Sequence, residues 1–286
     1  MRGKVVLVTG ATDGIGKQTA LALARQGVTV VITGRNRIKG EGVVAEIKGA
    51  SANPNIHLLV ADLSVMREVR ELAAEFKTKF DRLDVLVNNA GGLFDTRQVT
   101  KEGLEYTFAF NHLAYFVLTL ELLDLLKQSA PSRIVNVSSS ASVGLPNAPT
   151  RMNWEDLQYL TGRYPSFTAY SQSKLANVLF SNALARRLEG TQVTVNSLHP
   201  GTVASRFGDN AQGLWMRLGI AAIKRIGAVS PAKGAETSVY LASSPEVEGV
   251  TGKYFDKKRA VAPNPIALDQ TAQERLWDVS QKLLLA

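Results

Sequence analysis

The chain has 286 residues, 45% hydrophobic and 20% charged, an ordinary globular composition with room for one large α/β core. It has no cysteine, which excludes a disulfide framework, a thiol nucleophile and a thiolate metal site; its three histidines, His57, His112 and His199, are too scattered to suggest zinc, so no metal is expected. The net charge of +8 is not gathered into an arm, its densest run Lys257-Lys258-Arg259 reads as a solvated loop, and no nucleic-acid motif accompanies it.

Lys4 to Thr9 reads as a buried strand, with Val5-Val6-Leu7-Val8 β-branched and apolar. It is too short for a signal-peptide core, and no apolar run approaches membrane-spanning length, so a cytoplasmic protein is the default. The strand runs into Gly10-Ala11-Thr12-Asp13-Gly14-Ile15-Gly16, and a helix pattern follows, closed by Gly27. Strand, glycine turn and helix form the setting of a dinucleotide loop: glycines let the backbone approach a pyrophosphate, and the helix N-terminus offers amides to it. A tight turn needing glycine for its dihedrals is the plainer alternative. Thr29 to Thr33 is a second strand. Where NAD-specific enzymes carry a ribose-binding carboxylate, this chain has Gly34 and then Arg35, with Arg37 and Lys39 nearby; this favours NADP(H) over NAD(H), Asp13 being a contrary charge.

Ile56 to Ala61 is a third strand ending in Asp62-Leu63, where Asp62 either meets an adenine amino group or serves the start of a helix that Ser64 can cap and that runs through Phe80. Val85 to Asn88 is the fourth strand, ending in Asn88-Asn89-Ala90-Gly91. A long helix pattern runs from Thr100 to about Lys127 and holds Asn111, a poor helix-interior residue. Arg133 to Val137 is the fifth strand, followed by Ser138-Ser139-Ser140 at the end where α/β ligands bind. A proline-interrupted segment with Trp154, Leu157, Tyr159, Leu160 and Tyr164 can roof a pocket. Tyr170 and Lys174 then share one face of a helix, and an ammonium beside a phenol is expected to lower its pKa; a packed ring beside a solvated ammonium is the bland alternative.

The glycine loop, the strand-end Asp62, Asn88 to Gly91 and Tyr170-x-x-x-Lys174, in this order, resemble the short-chain dehydrogenase/reductase family, from about Lys4 to Asp256. The strings around Asn111-His112-Leu113, Ser173-Lys174-Leu175-Ala176-Asn177, His199-Pro200-Gly201-Thr202-Val203 and Gly252-Lys253-Tyr254-Phe255 resemble its retinol dehydrogenase-like branch, which includes the WW-domain oxidoreductase. The alternation of strands and helices fits one Rossmann-type, doubly wound, mostly parallel sheet of about seven strands with helices on both faces.

The resemblance implies four catalytic residues. Asn111 bends its helix and holds a water linked to the lysine, Ser139 bonds the substrate oxygen (Ser138 and Ser140 compete by register), Tyr170 moves the proton, and Lys174 lowers the phenol's pKa and contacts the nicotinamide ribose. The cofactor contacts implied are Gly10, Thr12, Asp13, Gly14, Ile15, Gly16, Arg35, Asp62, Leu63, Asn89, Ala90, Gly91, Tyr170, Lys174, Pro200, Gly201 and Thr202. Residues 1–286 are expected to form a single domain. Within it, 4–110 mainly bind the cofactor, 111–256 carry catalysis and substrate, 203–230 form a substrate lid, and 268–284 form a C-terminal helix. That helix packs on the domain, on a second subunit of a homo-oligomer, or on a membrane surface, with packing on the domain favoured. The expected activity is NADP(H)-dependent interconversion of a carbonyl and an alcohol on a small apolar aldehyde, ketone or alcohol. The alternative is a non-catalytic, NADP-responsive interaction protein on the same fold.

Overall fold

The computed structural model describes residues 1–145, 147–201, 203 and 229–285. Its strands are β1 (Val5–Val8), β2 (Thr29–Gly34), β3 (Ile56–Val60), β4 (Val85–Asn88), β5 (Ser132–Val137), β6 (Gly144–Leu145), β7 (Ala148–Pro149), β8 (Val193–His199), β9 (Tyr254–Asp256) and β10 (Arg259–Val261). Eight form one sheet in the order β10-β9-β8-β5-β4-β1-β2-β3, and β6 and β7 make a separate hairpin. All neighbours in the sheet are parallel except β9 and β10. The strand order reverses between β1 and β4, so a crevice opens beyond their carboxyl ends, where ligands of such sheets bind.

The helices are α1 (Gly14–Ala24), α2 (Arg37–Ser51), α3 (Met66–Lys79), α4 (Tyr106–Phe108), α5 (Ala114–Glu121), α6 (Leu123–Gln128), α7 (Ser166–Arg187), α8 (Pro231–Ser243) and α9 (Gln270–Leu283). The alternation within β1 divides the core. Val5 and Leu7 face α3, α5 and α7, whereas Val6 and Val8 face α1, α2 and α8. The C-terminal helix α9 packs on the domain itself. Its Trp277 ring lies 5.0 Å from Phe116 and 5.9 Å from Phe180, and Arg187 stacks on it at 3.9 Å. Arg186 and Arg187 of α7 both pair with Glu274.

Four local expectations need correction. The eighth strand, β10, lies where a loop was expected. Lys257 and Lys258 have φ of 47° and 64°, the two positive values of a tight hairpin turn, but two lysines lack the Asn-Gly signature that announces one. The helix expected from Thr100 begins only at Tyr106. Gly103, at φ 80°, turns the chain first, and the buried Glu105 carboxylate accepts from the Thr107 and Phe108 amides to start the helix. Ser64 does not cap α3. Its amide and hydroxyl both bond Asp62 Oδ1, while Glu102, distant in sequence, takes the Met66 and Arg67 amides at 2.6 and 2.9 Å. Finally, Leu157 and Tyr159 are buried in the protein, Trp154 lies under Arg275 of α9, and Leu160 is exposed, so this stretch is largely core. Apart from Val203, Val229 and Ser230, the expected lid lies outside the described residues.

Asp84 fastens the start of the sheet. Its carboxylate is 1% exposed and accepts from the Val5 amide at 2.8 Å and from Arg82 Nε and Nη2 at 2.9 and 2.7 Å. Asp84→Ala removes a buried acceptor and leaves the Val5 amide unbonded, so a loss of about 2–4 kcal/mol in unfolding free energy is expected by urea titration. Asp84→Asn, which keeps one acceptor, should cost less. Equal costs for the two would show that the charge facing Arg82, rather than the retained acceptor or the side-chain volume, matters here.

Candidate active site

β1 and β4 deliver the glycine loop and the Asn88–Gly91 turn to the two sides of the crevice. Thr9 and Asn89 sew them together. Thr9 Oγ1 accepts from the amides of Asn89 and Ala90, and Asn89 Nδ2 donates to the carbonyls of Thr9 and Gly10 at 2.9 and 3.2 Å. The fit is too close for side chains: a Cβ on Gly10 would lie 2.8 Å from Ala90 Cα, and one on Gly16 would lie 2.4 Å from Asn89 Nδ2. Asp13 caps α1 by accepting from Gly14 at 2.8 Å, and its charge is matched by Lys39 at 2.9 Å, which answers the objection that it would repel a phosphate. α1 begins at this loop, and the first amides of a helix are ready donors to an anion. This cradle fits a dinucleotide pyrophosphate.

At the end of β2, Gly34 lies against Thr12, whose Cγ2 would be 2.4 Å from any Cβ placed there, and Arg35 follows, exposed. Asp62 has one oxygen engaged by Ser64, and Leu63 is buried. Pro200 and Gly201, at φ 85°, follow β8; Thr202 lies outside the described residues.

The second side of the crevice is built by α7. Ser139, just past β5, hydrogen-bonds the Tyr170 hydroxyl. Its neighbours are otherwise occupied: Ser138 donates to the Lys174 carbonyl at 2.7 Å, and the Ser140 amide donates to His199 Nδ1 at 3.0 Å. Lys174 Nζ, fully buried, donates to the Val137 carbonyl at 3.1 Å and lies 5.5 Å from the centre of the Tyr115 ring. Asn111 approaches from the opposite wall. It sits in a π-helical turn (Ala109–Leu113) joining α4 to α5, and Ala114 donates to the carbonyl of Ala109, five residues back. Its amide accepts from the Gly92 amide at 2.8 Å and donates to the Gly92 carbonyl and to Ser173 Oγ, both at 2.9 Å. A Cβ on Gly91 would lie 2.8 Å from Lys174 Nζ and 3.2 Å from Asn111 Oδ1, so the two side chains meet over that glycine.

The electrostatics differ from the expectation of a lowered phenol. Burial pushes Tyr170 up to about 12, against a smaller opposing pull from its Ser139 bond, and burial draws Lys174 down to about 7. In the protein alone the cost of desolvating both groups outweighs their proximity. Tyr115, announced by no motif, and Tyr254, from the Gly252-Lys253-Tyr254-Phe255 string, also border the site. Tyr115 donates to the Ala90 carbonyl at 2.7 Å, and Tyr254 donates to the Ser139 carbonyl at 3.1 Å. The sequence signal for Tyr115 was placement alone, one helical turn beyond Asn111.

The sequence model described as short chain dehydrogenase matches residues 4–150 and 160–213. The chain belongs to the short-chain dehydrogenase family. This short-chain dehydrogenase is 41% identical to "Retinol dehydrogenase 13" of Homo sapiens over 285 residues, covering 99% of this chain and 85% of that protein. Among solved structures it is similar to a putative uncharacterized protein from Mycobacterium Paratuberculosis. That pair has 30% identity and a TM-score of 0.78, covering 100% of this chain and 94% of the other. It is also similar to the Pseudomonas aeruginosa RhlG/NADP active-site complex, with 28% identity and a TM-score of 0.69, covering 89% and 94%. As a member of this family it is an oxidoreductase of alcohol and carbonyl groups with a nicotinamide cofactor.

The buried ammonium gives this short-chain dehydrogenase a stability prediction. Lys174 has a depressed pKa in the folded state, so at and below pH 7 it carries the full desolvation penalty, which is relieved as pH rises from about 7 toward the unfolded value of 10.5. Lys174→Met should therefore raise the unfolding free energy at pH 6 by about 1–3 kcal/mol while abolishing turnover, with the gain shrinking toward pH 9. Urea titrations at the two pH values check it, and a variant less stable than the parent at pH 6 would contradict it.

Proposed function

We propose that this protein is an NADP(H)-dependent reductase or dehydrogenase that interconverts an apolar aldehyde or ketone with its alcohol. The observation that carries the reading is the hydrogen bond between Ser139 and the Tyr170 hydroxyl, with the Lys174 ammonium buried one helical turn away. Tyr170 stays protonated through neutral pH and so holds the proton that a reduced carbonyl oxygen takes up. Ser139 donates a hydrogen bond to that oxygen and orients it. Lys174, placed between Val137 and Asn111, supplies the charge that draws the phenol toward ionisation as the proton leaves. When bound, the nicotinamide cofactor gives or takes the hydride at the carbon. The glycine cradle with Asn89, Ala90 and Gly91 would hold its phosphates and ribose, and Pro200 and Gly201 would serve its nicotinamide end.

NADP(H) is favoured over NAD(H) for two reasons in this chain. Thr12 fills the space that a side chain at position 34 would need, and Arg35 presents a guanidinium to solvent beside it. The RhlG structure, titled as an NADP complex, supports the same choice. An apolar substrate is supported by the retinol named for the relatives and by Phe167. That ring is 61% exposed one turn before Tyr170 and lies 6.4 Å from it. Among the described residues no helix is long and apolar enough to cross a membrane.

Tyr170→Phe should lower turnover by at least about a hundred-fold while leaving the cofactor dissociation constant within a few fold, because it removes the proton and no cofactor contact of comparable weight. The assay is NADPH-dependent reduction of an aliphatic aldehyde series beside hydroxylated carbonyls. Retained turnover in the variant sinks the role of Tyr170, and preferential reduction of the polar set sinks the apolar substrate.

Arg35→Ala should narrow the preference for NADPH over NADH by about ten-fold, as expected for one charge-assisted pair with a phosphate. Fluorescence titration of both cofactors reads it directly, and an unchanged ratio would remove Arg35 from cofactor choice.

A further inference from the structure

The π turn that carries Asn111 is gripped from behind by a chain of hydrogen bonds whose directions can be worked out from one end. Asn177 Nδ2 donates to the Asn111 main-chain carbonyl at 3.0 Å. A carbonyl can only accept, so the Asn177 amide is oriented, and its Oδ1 is left facing His112 Nδ1 at 3.3 Å. Oδ1 in turn can only accept, so His112 carries its proton on Nδ1. Its Nε2 is then bare and accepts the hydroxyl proton of Ser280, 3.0 Å away on α9. Asn177, His112 and Ser280 are all 0% exposed. The rings of Phe108, Phe116 and Phe180 stand 5.0, 6.2 and 6.1 Å from the imidazole, so beside Asn177 and Ser280 its other recorded neighbours are apolar. Burial draws its pKa down to about 4, which keeps it neutral and the chain one-directional.

The far end of this chain meets the site. Asn111 and Lys174 converge over Gly91, and the same Asn111 side chain holds Ser173, the residue before Lys174. α7 thus holds the turn at two points one helical turn apart, Ser173 on the side chain and Asn177 on the backbone.

We infer that Asn177 is a positioning residue for the active site, one that sets the Asn111 turn against Lys174 and is itself oriented by a Ser280–His112 relay from the C-terminal helix. The inference rests on the proposed catalytic roles of Asn111 and Lys174, and it concerns a contact from outside those residues. The relay makes the seating of α9 a determinant of turnover, though α9 contributes no group to the crevice among the described residues.

The test uses the full chain, its Asn177→Asp variant, which keeps size and an acceptor but loses the donor, and Ser280→Ala with Ser280→Thr as the conservative return. Histidine labelled with ¹⁵N gives signals from only three residues, so the tautomer of His112 is read directly. The expected result is protonated Nδ1 and bare Nε2 in the parent. Asn177→Asp should lower kcat about ten-fold with KM and cofactor affinity within two-fold, and Ser280→Ala should lower kcat several-fold, with recovery in Ser280→Thr. Protonated Nε2 in the parent overturns the relay. A folded Asn177→Asp with parental kcat overturns the positioning role; if that variant does not fold, parental kcat in Ser280→Ala overturns it. Should the parent reduce no carbonyl at all, the proposed function falls separately. The positioning role is then read from the ¹³Cε titration of Lys174, which moves in Asn177→Asp if Asn177 sets the turn and stays still if it does not.

Discussion

Helix α7 is buried from Ala169 to Ala185, yet its sequence there includes Ser171, Gln172, Ser173, Lys174, Asn177, Ser181 and Asn182. A helix that is polar and interior needs partners for most of its polar groups, and that need organises much of what surrounds it; the Ser171 hydroxyl is an exception, with no partner among the described residues. Gln172 accepts from the Asn153 amide and donates to the Leu157 carbonyl, which folds the preceding segment onto the helix. Asn182 donates to the Ala267 carbonyl and fixes the approach to α9. Ser181 accepts from Asn136 of β5, whose own carbonyl oxygen takes a hydrogen from Asn88 of β4, so the helix is registered on the central strands by side-chain amides. A slip of one residue would break all of these contacts together. Tyr170 and Lys174, the side chains proposed to react, inherit that precision, being carried on the same rigid element.

Placing an ammonium in this interior weakens the fold, a cost that the proposed role of Lys174 would account for. Lys174 has one carbonyl acceptor and an aromatic face, few partners for three N–H donors. A hydrophobic residue would pack there at lower cost. The cluster of Asn111, Gly91 and Val137 around it is therefore best understood as a means of holding a charge where the fold alone would exclude it. The high phenol pKa of Tyr170 follows from the same dryness.

Much of this was legible in the chain itself. The strand centres carry short apolar stretches, Val5–Val8 in β1 and Val85, Leu86 and Val87 in β4, so the parallel sheet was readable in β1 to β5 and in β8 with boundaries shifted by a residue or so. The glycine loop, Tyr170 and Lys174 were marked by residue type and order, whereas Asn111 and the choice of Ser139 over Ser138 and Ser140 came with the family resemblance. The misses have a common physical character. Glu102 capping α3 and Gln172 organising residues 153–159 act across long stretches of chain, where local pattern carries no trace of the partner, and Glu105 starts α4 locally but is not one of the usual capping residues. Trp154 and Leu157 looked like pocket lining because hydrophobicity specifies burial without specifying against what. The phenol shift was misjudged because spacing gives the proximity of charges and says nothing of the water removed around them.

The contact between Thr12 and Gly34 has a consequence for how such a protein diversifies. A carboxylate introduced at position 34 would arrive in space that Thr12 holds, at 2.4 Å for its first carbon alone. Shrinking Thr12 first would leave the loop with a gap and no compensating contact. Either change made singly would disturb the contact, the first by crowding it and the second by emptying it. Positions 12 and 34 are therefore expected to vary together, so that this corner of the loop changes in pairs even while the surface around it changes one residue at a time.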